Sequence, residues 1–417
     1  MVWYLPRGVD YYYYIIHSYR VLYHDPMKDN LARQQAAYVE SHGVPMPRAM
    51  QAHALTQMFA LQSLLFEDSE DESDARRELH DPDYWHALAP GSSTDPDELR
   101  AALLALPRSA ADADDVAPTS ASASSPSPFD PEEVVGRLRE EGYCVLAPAP
   151  SAAAAVAGLC AELAAIQAAL RAASLPPHFV YVYNAPWMLL AEHWVGPAAA
   201  ALGEDSVMEA DMSCWALRRE AGGSSAAGGD PYVGSNFSAS HRDQSYSSCH
   251  DDEGGPTSVN LWSPYNVGGA TAENGAMRVL PCASDDFFFS PDHPLHFRTG
   301  ASLDADGAAG AVATLACSAG DACMWSPSLV HWGGGCAADA PTEPRESLAV
   351  TFRAASAPRS RFGGDGGGDC AAVAAGPMIL SDLYALPLRR RLAYVAKGLL
   401  AYSHWHAGFP GLALARA

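Results

Sequence analysis

Hydrophobic and polar positions change their rhythm along the chain, and the changes predict its elements. In PEEVVGRLREEG, which begins at Pro131, Val134 and Leu138 stand one helical turn apart and Gly142 supplies a stop, so a helix is expected there. YCVLAP comes next as a short strand, and the alanine-rich stretch 151–174 as a second helix. After Pro176 the β-branched and aromatic run FVYVY predicts a strand. Beyond residue 230 the texture is one of short strands, SVNLW, AMRVLP, DACMW and SLAVTF, between turns rich in Gly, Pro, Asn and Asp. Such spacing suggests a β-sandwich or barrel. LPLRRRLAYVAKGLLAY (386–402) predicts an amphipathic basic helix packed on the sheet. Together these elements predict an α+β fold whose β core is flanked by helices.

The first 66 residues read as helix-rich from the spacing of Ala54, Met58, Leu61 and Leu65, and their tyrosines are expected to pack against the rest of the chain. From Glu67 to Asp130 the composition shifts to 16 acidic against 4 basic residues, about half of the chain's net charge of -23. With the Ser/Pro/Ala stretch 117–128, residues 67–130 are expected to be a solvated, disordered linker or insertion. Within it, 95–106 fits a short helix with Asp95 as N-cap and Pro96 as its first residue. Residues 131–417 are expected to form the main domain, with the C-terminal helix at its end.

A chain this acidic argues against a nucleic-acid partner. Hydrophobic residues at 48% supply a sizeable core. The nine cysteines contain no C-x-x-C pair, which supports neither a disulfide framework nor a zinc ribbon, and a reducing compartment is the default expectation. No run approaches the roughly 18 consecutive apolar residues of a membrane span. The first twenty residues lack the build of a signal peptide, so an intracellular, cytoplasmic setting is expected, with an organelle left open. Nothing in the sequence names a protein partner.

Candidate chemistry centres on ASHRDQSYSSCHDD. His241 and Asp243 flank one residue, so on an extended strand both side chains point to one face and reach one ion. His331 stands at the end of a later short strand, in SLVHWGGG. Two imidazoles and one carboxylate on one face of a metal are the ligand set of non-haem Fe(II) oxygenases. H-x-D alone is a weak motif, and His250 with Asp252 forms a second one that stands in reserve. Specificity comes from the order of the downstream segments: Asn260 and Trp262, the turn and strand TAENGAMRVLP, Gly320-Asp321, His331, then PRESLAVTF with Arg345 and Ser347.

That succession resembles the phytanoyl-CoA dioxygenase-like family of Fe(II)/2-oxoglutarate-dependent oxygenases over roughly residues 131–355. The resemblance implies a double-stranded β-helix (jelly-roll, cupin-like) core. It implies His241, Asp243 and His331 as iron ligands, Arg345 as the clamp for the distal carboxylate of 2-oxoglutarate, Ser347 as an added donor and Trp262 alongside the co-substrate. The implied reaction uses Fe(II), 2-oxoglutarate and dioxygen, releases succinate and CO2, and hydroxylates a small organic or lipid-like substrate. The carboxylate of Asp243 favours hydroxylation, since related halogenases have a small residue there to admit halide. In place of the family's Gly-Ser-His the chain has Cys282-Ala283-Ser284, and fourteen residues separate His331 from Arg345, a longer interval than usual.

Two other readings stay open on the sequence: a jelly-roll module that binds or regulates without turnover, and a cupin-type metalloenzyme that makes no use of 2-oxoglutarate. A protein-kinase reading of HRD fails, because Ser248 stands where the second metal's Asn is needed. The paucity of basic side chains gives no support to a CoA thioester. The substrate's identity is not legible.

Overall fold

The computed structural model describes residues 78–106, 129–173, 175–203, 206–209, 212–217, 240–293, 296, 308–337, 344–357 and 378–401, all within one compact unit, Ser69–Ala417. Expectations for residues 1–66 and for the Ser/Pro-rich stretch 117–128 lie outside these residues.

Three helices begin on the same dipeptide. In α1 (Pro82–Leu88), α2 (Pro96–Ala105) and α3 (Pro131–Glu140), an Asp caps the helix and Pro takes its first position. The Asp81, Asp95 and Asp130 carboxylates accept backbone N–H groups of residues 83, 97 and 132 at 2.9, 2.8 and 3.0 Å. Each cap satisfies a donor that the helix leaves free, and proline gives up none that the helix needs.

Residues 78–106 depart from the linker expected over 67–130. Trp85, Leu99 and Leu103 are buried in the main core, and the Trp85 indole donates to the Leu79 carbonyl at 2.8 Å. Among the described residues, acidic side chains that suggest a solvated tether instead cap amphipathic helices or line their outer faces, Asp83, Asp97 and Glu98 among them. The short helix at 95–106 is present with the expected cap.

β1 (Tyr143–Leu146) and α4 (Ala153–Ala172) come next. By length and composition α4 could cross a membrane, but Val156, Cys160, Leu163, Ile166 and Leu170 form a buried stripe in the core. FVYVY is not a strand. Pro177–Val182 is a 3₁₀ helix, and side chains take the carbonyls a ladder would need: Gln167 donates to Pro177 O and Arg391 to Val182 O, both at 2.8 Å. Here tertiary hydrogen bonding outweighs β propensity. α5 (Asn184–Leu189), a π-helical turn and α6 (Val195–Leu202) complete this helical layer, and the basic C-terminal helix α7 (Leu388–Ala401), expected on the sheet, packs instead on this layer through Tyr394, Val395 and Leu399.

Among the described residues the β core comprises two antiparallel sheets. The larger contains β1, β2 (Ser206–Met208), β3 (Ser213–Leu217), β4 (Ser258–Pro264), β7 (Ala322–Trp325) and β9 (Arg345–Ala354). The smaller has the order β6 (Ala313–Leu315), β5 (Met277–Leu280), β8 (Val330–Gly333). From β4 to β9 the chain passes from large sheet to small, back to large, to small and to large again.

Strand alternation divides the large sheet into two chemical faces. Val259 and Leu261 of β4, Met324 of β7, and Leu348, Val350 and Phe352 of β9 join the helical core. Trp262, Cys323 and Trp325 point the other way, into a second core shared with Met277, Val279 and Leu315 of the small sheet. Because Asn260 pairs with Thr351 and Trp262 with Ala349, residues 345, 347, 349 and 351 of β9 share this inner face.

Leu99→Ala should lower the unfolding free energy by about 2–5 kcal/mol in denaturant titration, as expected for a fully buried leucine. A value within about 0.5 kcal/mol would return residues 78–106 to the role of a tether.

Candidate metal centre

His241 and His331 lie ninety residues apart in sequence and pair backbone to backbone: His241 N–H donates to His331 O at 3.1 Å, and His331 N–H to His241 O at 2.9 Å. Two residues on, the Asp243 N–H donates to Pro327 O at 2.9 Å. The H-x-D segment is therefore an isolated bridge leading into a bend, rather than the regular strand expected, and it is tied to the chain that leads into β8.

This pairing brings three side chains together. The Nε2 atoms of His241 and His331 each lie 3.4 Å from an oxygen of Asp243, and one ligand atom from each residue falls within 4.8 Å of the others. Two ligands about 2.1 Å from one ion and at right angles stand about 3 Å apart, so modest closure fits this set around a metal. It is the one such group of three among the described residues.

Two of the three candidate ligands are held in the state a metal requires. Burial lowers His331 to about 4, leaving the ring neutral, and its Nδ1 donates to Leu329 O at 3.0 Å, which turns the Nε2 lone pair toward Asp243. Enclosure by the chain raises the Asp243 carboxyl, but His331, His241 and the Asn260 amide together outweigh it and hold the group below the usual carboxylate range. The Asp243 side chain remains 39% exposed, so a small solute can reach it.

Behind the carboxylate stands a relay that the sequence did not reveal as functional. Asn260 Nδ2 donates to Asp243 Oδ2 at 2.6 Å, and Thr351 Oγ1 donates to Asn260 Oδ1 at 2.7 Å. The second bond fixes which way the amide faces. Its residues stand in SVNLWSP and RESLAVTFRA, but only the register, which sets Asn260 opposite Thr351, brings them together. Arg242, between the two ligands, is buried and binds the Asp285 carboxylate and the carbonyls of Ser328 and His296.

Arg345 opens β9 and is fully buried. Its guanidinium lies over the Trp262 ring at 5.2 Å, and Nη1 reaches Ser347 Oγ at 3.4 Å. Nε has no hydrogen-bond partner, and no carboxylate pairs with the group among the described residues. The other buried arginines are better supplied: Arg242 has Asp285, Arg353 has Glu209 at 2.6 Å, and Arg391 has Leu386 O, Val182 O and Asn184 Oδ1. Burial without a counter-charge pulls Arg345 down to about 10. On the inner face of β4, Asn260 touches Asp243 and Trp262 lies beneath Arg345. Two strand residues span about 7 Å.

The reserve pair is not assembled. His250 stacks on Tyr246 with centroids 4.0 Å apart and bonds to Tyr246 O at 3.0 Å, burial lowers it to about 4, and Asp252 is exposed.

No family model matches the chain, and neither does any curated protein. Solved structures to which it is similar include the non-heme alpha ketoglutarate dependent epimerase SnoN from nogalamycin biosynthesis, at 16% identity over 54% of this chain and 83% of that one, with a TM-score of 0.35. The alpha ketoglutarate dependent carbocyclase SnoK, from the same biosynthesis, aligns at 13% identity over 55% of this chain and 87% of its own, with a TM-score of 0.36. EctD from S. alaskensis, solved with 2-oxoglutarate and 5-hydroxyectoine, aligns at 16% over 56% and 79%, with a TM-score of 0.34. At these scores the alignments add nothing to the site's own geometry.

Asn260→Ala should weaken Co(II) or Fe(II) binding about 10–100-fold in anaerobic titration, and Thr351→Val should do so to a smaller degree. Unchanged metal affinity in Asn260→Ala would remove the relay from the site.

Proposed function

We propose that the chain is a non-haem Fe(II)/2-oxoglutarate-dependent oxygenase that hydroxylates a small organic or lipid-like substrate. The observation that carries this reading is Arg345, a buried cation with no carboxylate partner among the described residues, on the sheet face that also supports the His241–Asp243–His331 group. A buried charge left unpaired is costly, and a ligand carboxylate would relieve the cost.

The residues fit both groups. Two imidazoles and one carboxylate suit Fe(II) and leave further positions for small ligands. A dicarboxylate with a 2-oxo acid end at the metal would place its other end toward Arg345, where the guanidinium fork and the Ser347 hydroxyl offer donors and the Trp262 ring supplies an apolar wall. Iron(II), 2-oxoglutarate and dioxygen together supply the oxidising chemistry, in which decarboxylation to succinate and CO2 is coupled to removal of a substrate hydrogen.

The protein's own part is orientation. Asn260 and Thr351 hold the Asp243 carboxylate at a fixed angle, and the Leu329 carbonyl keeps the proton of His331 on Nδ1. Asp243 itself fills the position that would otherwise admit halide, which favours hydroxylation. The two sheets, exchanged by successive strands from β4 to β9, are read as the halves of a double-stranded β-helix, and residues 131–417 as the oxygenase domain.

Incubated aerobically with Fe(II) and 2-oxoglutarate, the protein should release succinate even without its true substrate. His241→Ala, Asp243→Ala and His331→Ala should abolish this release. Arg345→Ala should raise the 2-oxoglutarate requirement at least about 30-fold, corresponding to the roughly 2 kcal/mol or more expected from truncating one side of a buried charge pair. Normal turnover by Asp243→Ala would refute the site.

A further inference from the structure

Beside Arg345, whose surroundings the oxygenase reading makes the co-substrate chamber, lies a pair of thiols to which that reading gives no task. Cys323 Sγ–H donates to Cys317 Sγ across 3.5 Å. Among the described cysteines no other two sulfurs come so close; Cys336, for example, bonds to Asn274 O at 3.5 Å. A disulfide sets its sulfurs about 2.05 Å apart, so a shift of about 1.5 Å separates contact from bond.

The chain between the two thiols is already folded back. Cys317 exchanges two backbone hydrogen bonds with Ala270, of 2.9 and 3.0 Å. Ser318 N–H donates to the Asp321 carboxylate at 2.8 Å, and Gly320 takes a positive φ of 86° with its N–H on Pro264 O. The close approach of the thiols is thus built by the turn that leads into β7.

The two thiols differ in access and in state. Cys317 is half-buried and accepts the thiol hydrogen bond, whereas Cys323 is fully buried. The contact with Cys317, and then burial, hold the Cys323 thiol well above its ordinary value. Cys317 is therefore the sulfur that an oxidant meets first.

The partners of Cys323 connect the pair to the chamber. Cys323 stands opposite Trp262 in the β7–β4 register, so both side chains project from the same face. Trp262 in turn lies beneath the Arg345 guanidinium.

We propose that Cys317 and Cys323 are an oxidisable dithiol that a peroxide converts to a disulfide, and that this bond weakens co-substrate binding by displacing Trp262 from beneath Arg345. Hydrogen peroxide oxidises the Cys317 thiol to a sulfenic acid, its O–O bond breaking with release of one water. The Cys323 sulfur then attacks the Cys317 sulfur, losing its proton as the S–S bond forms and the sulfenic oxygen leaves as a second water. Two thiols give up two electrons, and one peroxide takes them. Thiol reductants reverse the change. The effect on the co-substrate rests on the oxygenase reading; the disulfide does not.

The test treats the full-length protein with hydrogen peroxide, alkylates remaining thiols and maps peptides without reduction. 2-Oxoglutarate affinity of the Fe(II)-loaded protein is measured anaerobically before oxidation, after it, and after dithiothreitol. The expected result is a Cys317–Cys323 cross-linked peptide, two hydrogens lighter than the dithiol, with an affinity loss of at least about fivefold that dithiothreitol restores. Cys317→Ser should form no cross-link and keep its affinity under peroxide, while Cys336→Ser should behave as the wild type. Separately alkylated or sulfinic Cys317 and Cys323 without a cross-link would overturn the dithiol. A cross-link with unchanged affinity would overturn the coupling. Reduced protein that binds no 2-oxoglutarate would instead refute the oxygenase reading and the coupling that rests on it, and peptide mapping would still decide the disulfide.

Discussion

The register of β4 against β9 sets Asn260 opposite Thr351 and Trp262 opposite Ala349, and so decides which side chains share the inner face of the large sheet. A slip of one residue would turn Leu348 and Val350 inward and carry Arg345, Ser347 and Thr351 to the helical side. The apolar residues that resist the slip are on the outer face, where Val259, Leu261, Leu348, Val350 and Phe352 are buried under the helices. Hydrophobic burial on one face therefore fixes the chemistry of the other. The paired backbones of His241 and His331 extend the arrangement to the small sheet, because His331 belongs to β8 and His241 is held to it by two hydrogen bonds.

Arg345 carries an imbalance of charge and of hydrogen bonds, whereas Arg391, which also lacks a carboxylate, is met by three oxygen acceptors. Arg242, Arg353 and Arg171 each meet a carboxylate. Arg345 meets an indole face and a hydroxyl at 3.4 Å. Sites that recognise a ligand commonly keep polar groups whose partners arrive with it, and the stability given up is recovered on binding. Two of the candidate ligands, Asp243 and His331, show the complementary condition: an ionised carboxylate and a neutral imidazole, each held from behind, presented to a space that solutes can reach.

Much of this is legible in the sequence, and the remainder is hidden for physical reasons. The helix capped by Asp95, the strands of SVNLW, AMRVLP, DACMW and SLAVTF, and the basic C-terminal helix arise from local pattern and are present. FVYVY fails as a strand because side chains of α4 and α7 take the carbonyls of Pro177 and Val182, which no local rule can see. Net charge makes a tether of residues 78–106, but it is a quantity blind to the inward stripe of Trp85, Leu99 and Leu103. The order of motifs points to His241, Asp243 and His331, which the fold does bring together. Asn260 is named in the motif order without a role and Thr351 escapes notice, because what they do depends on strand register, and the isolation of Arg345 is hidden because it depends on everything around it.

The central claim is that one chamber binds iron and a 2-oxo dicarboxylate at the same time. Its most direct test is the visible metal-to-ligand charge-transfer band that should appear when Fe(II) and then 2-oxoglutarate are added under anaerobic conditions. The account predicts a band in the wild-type protein that disappears in His331→Ala. No band in the wild type, together with a metal content that His331→Ala leaves unchanged, would contradict it.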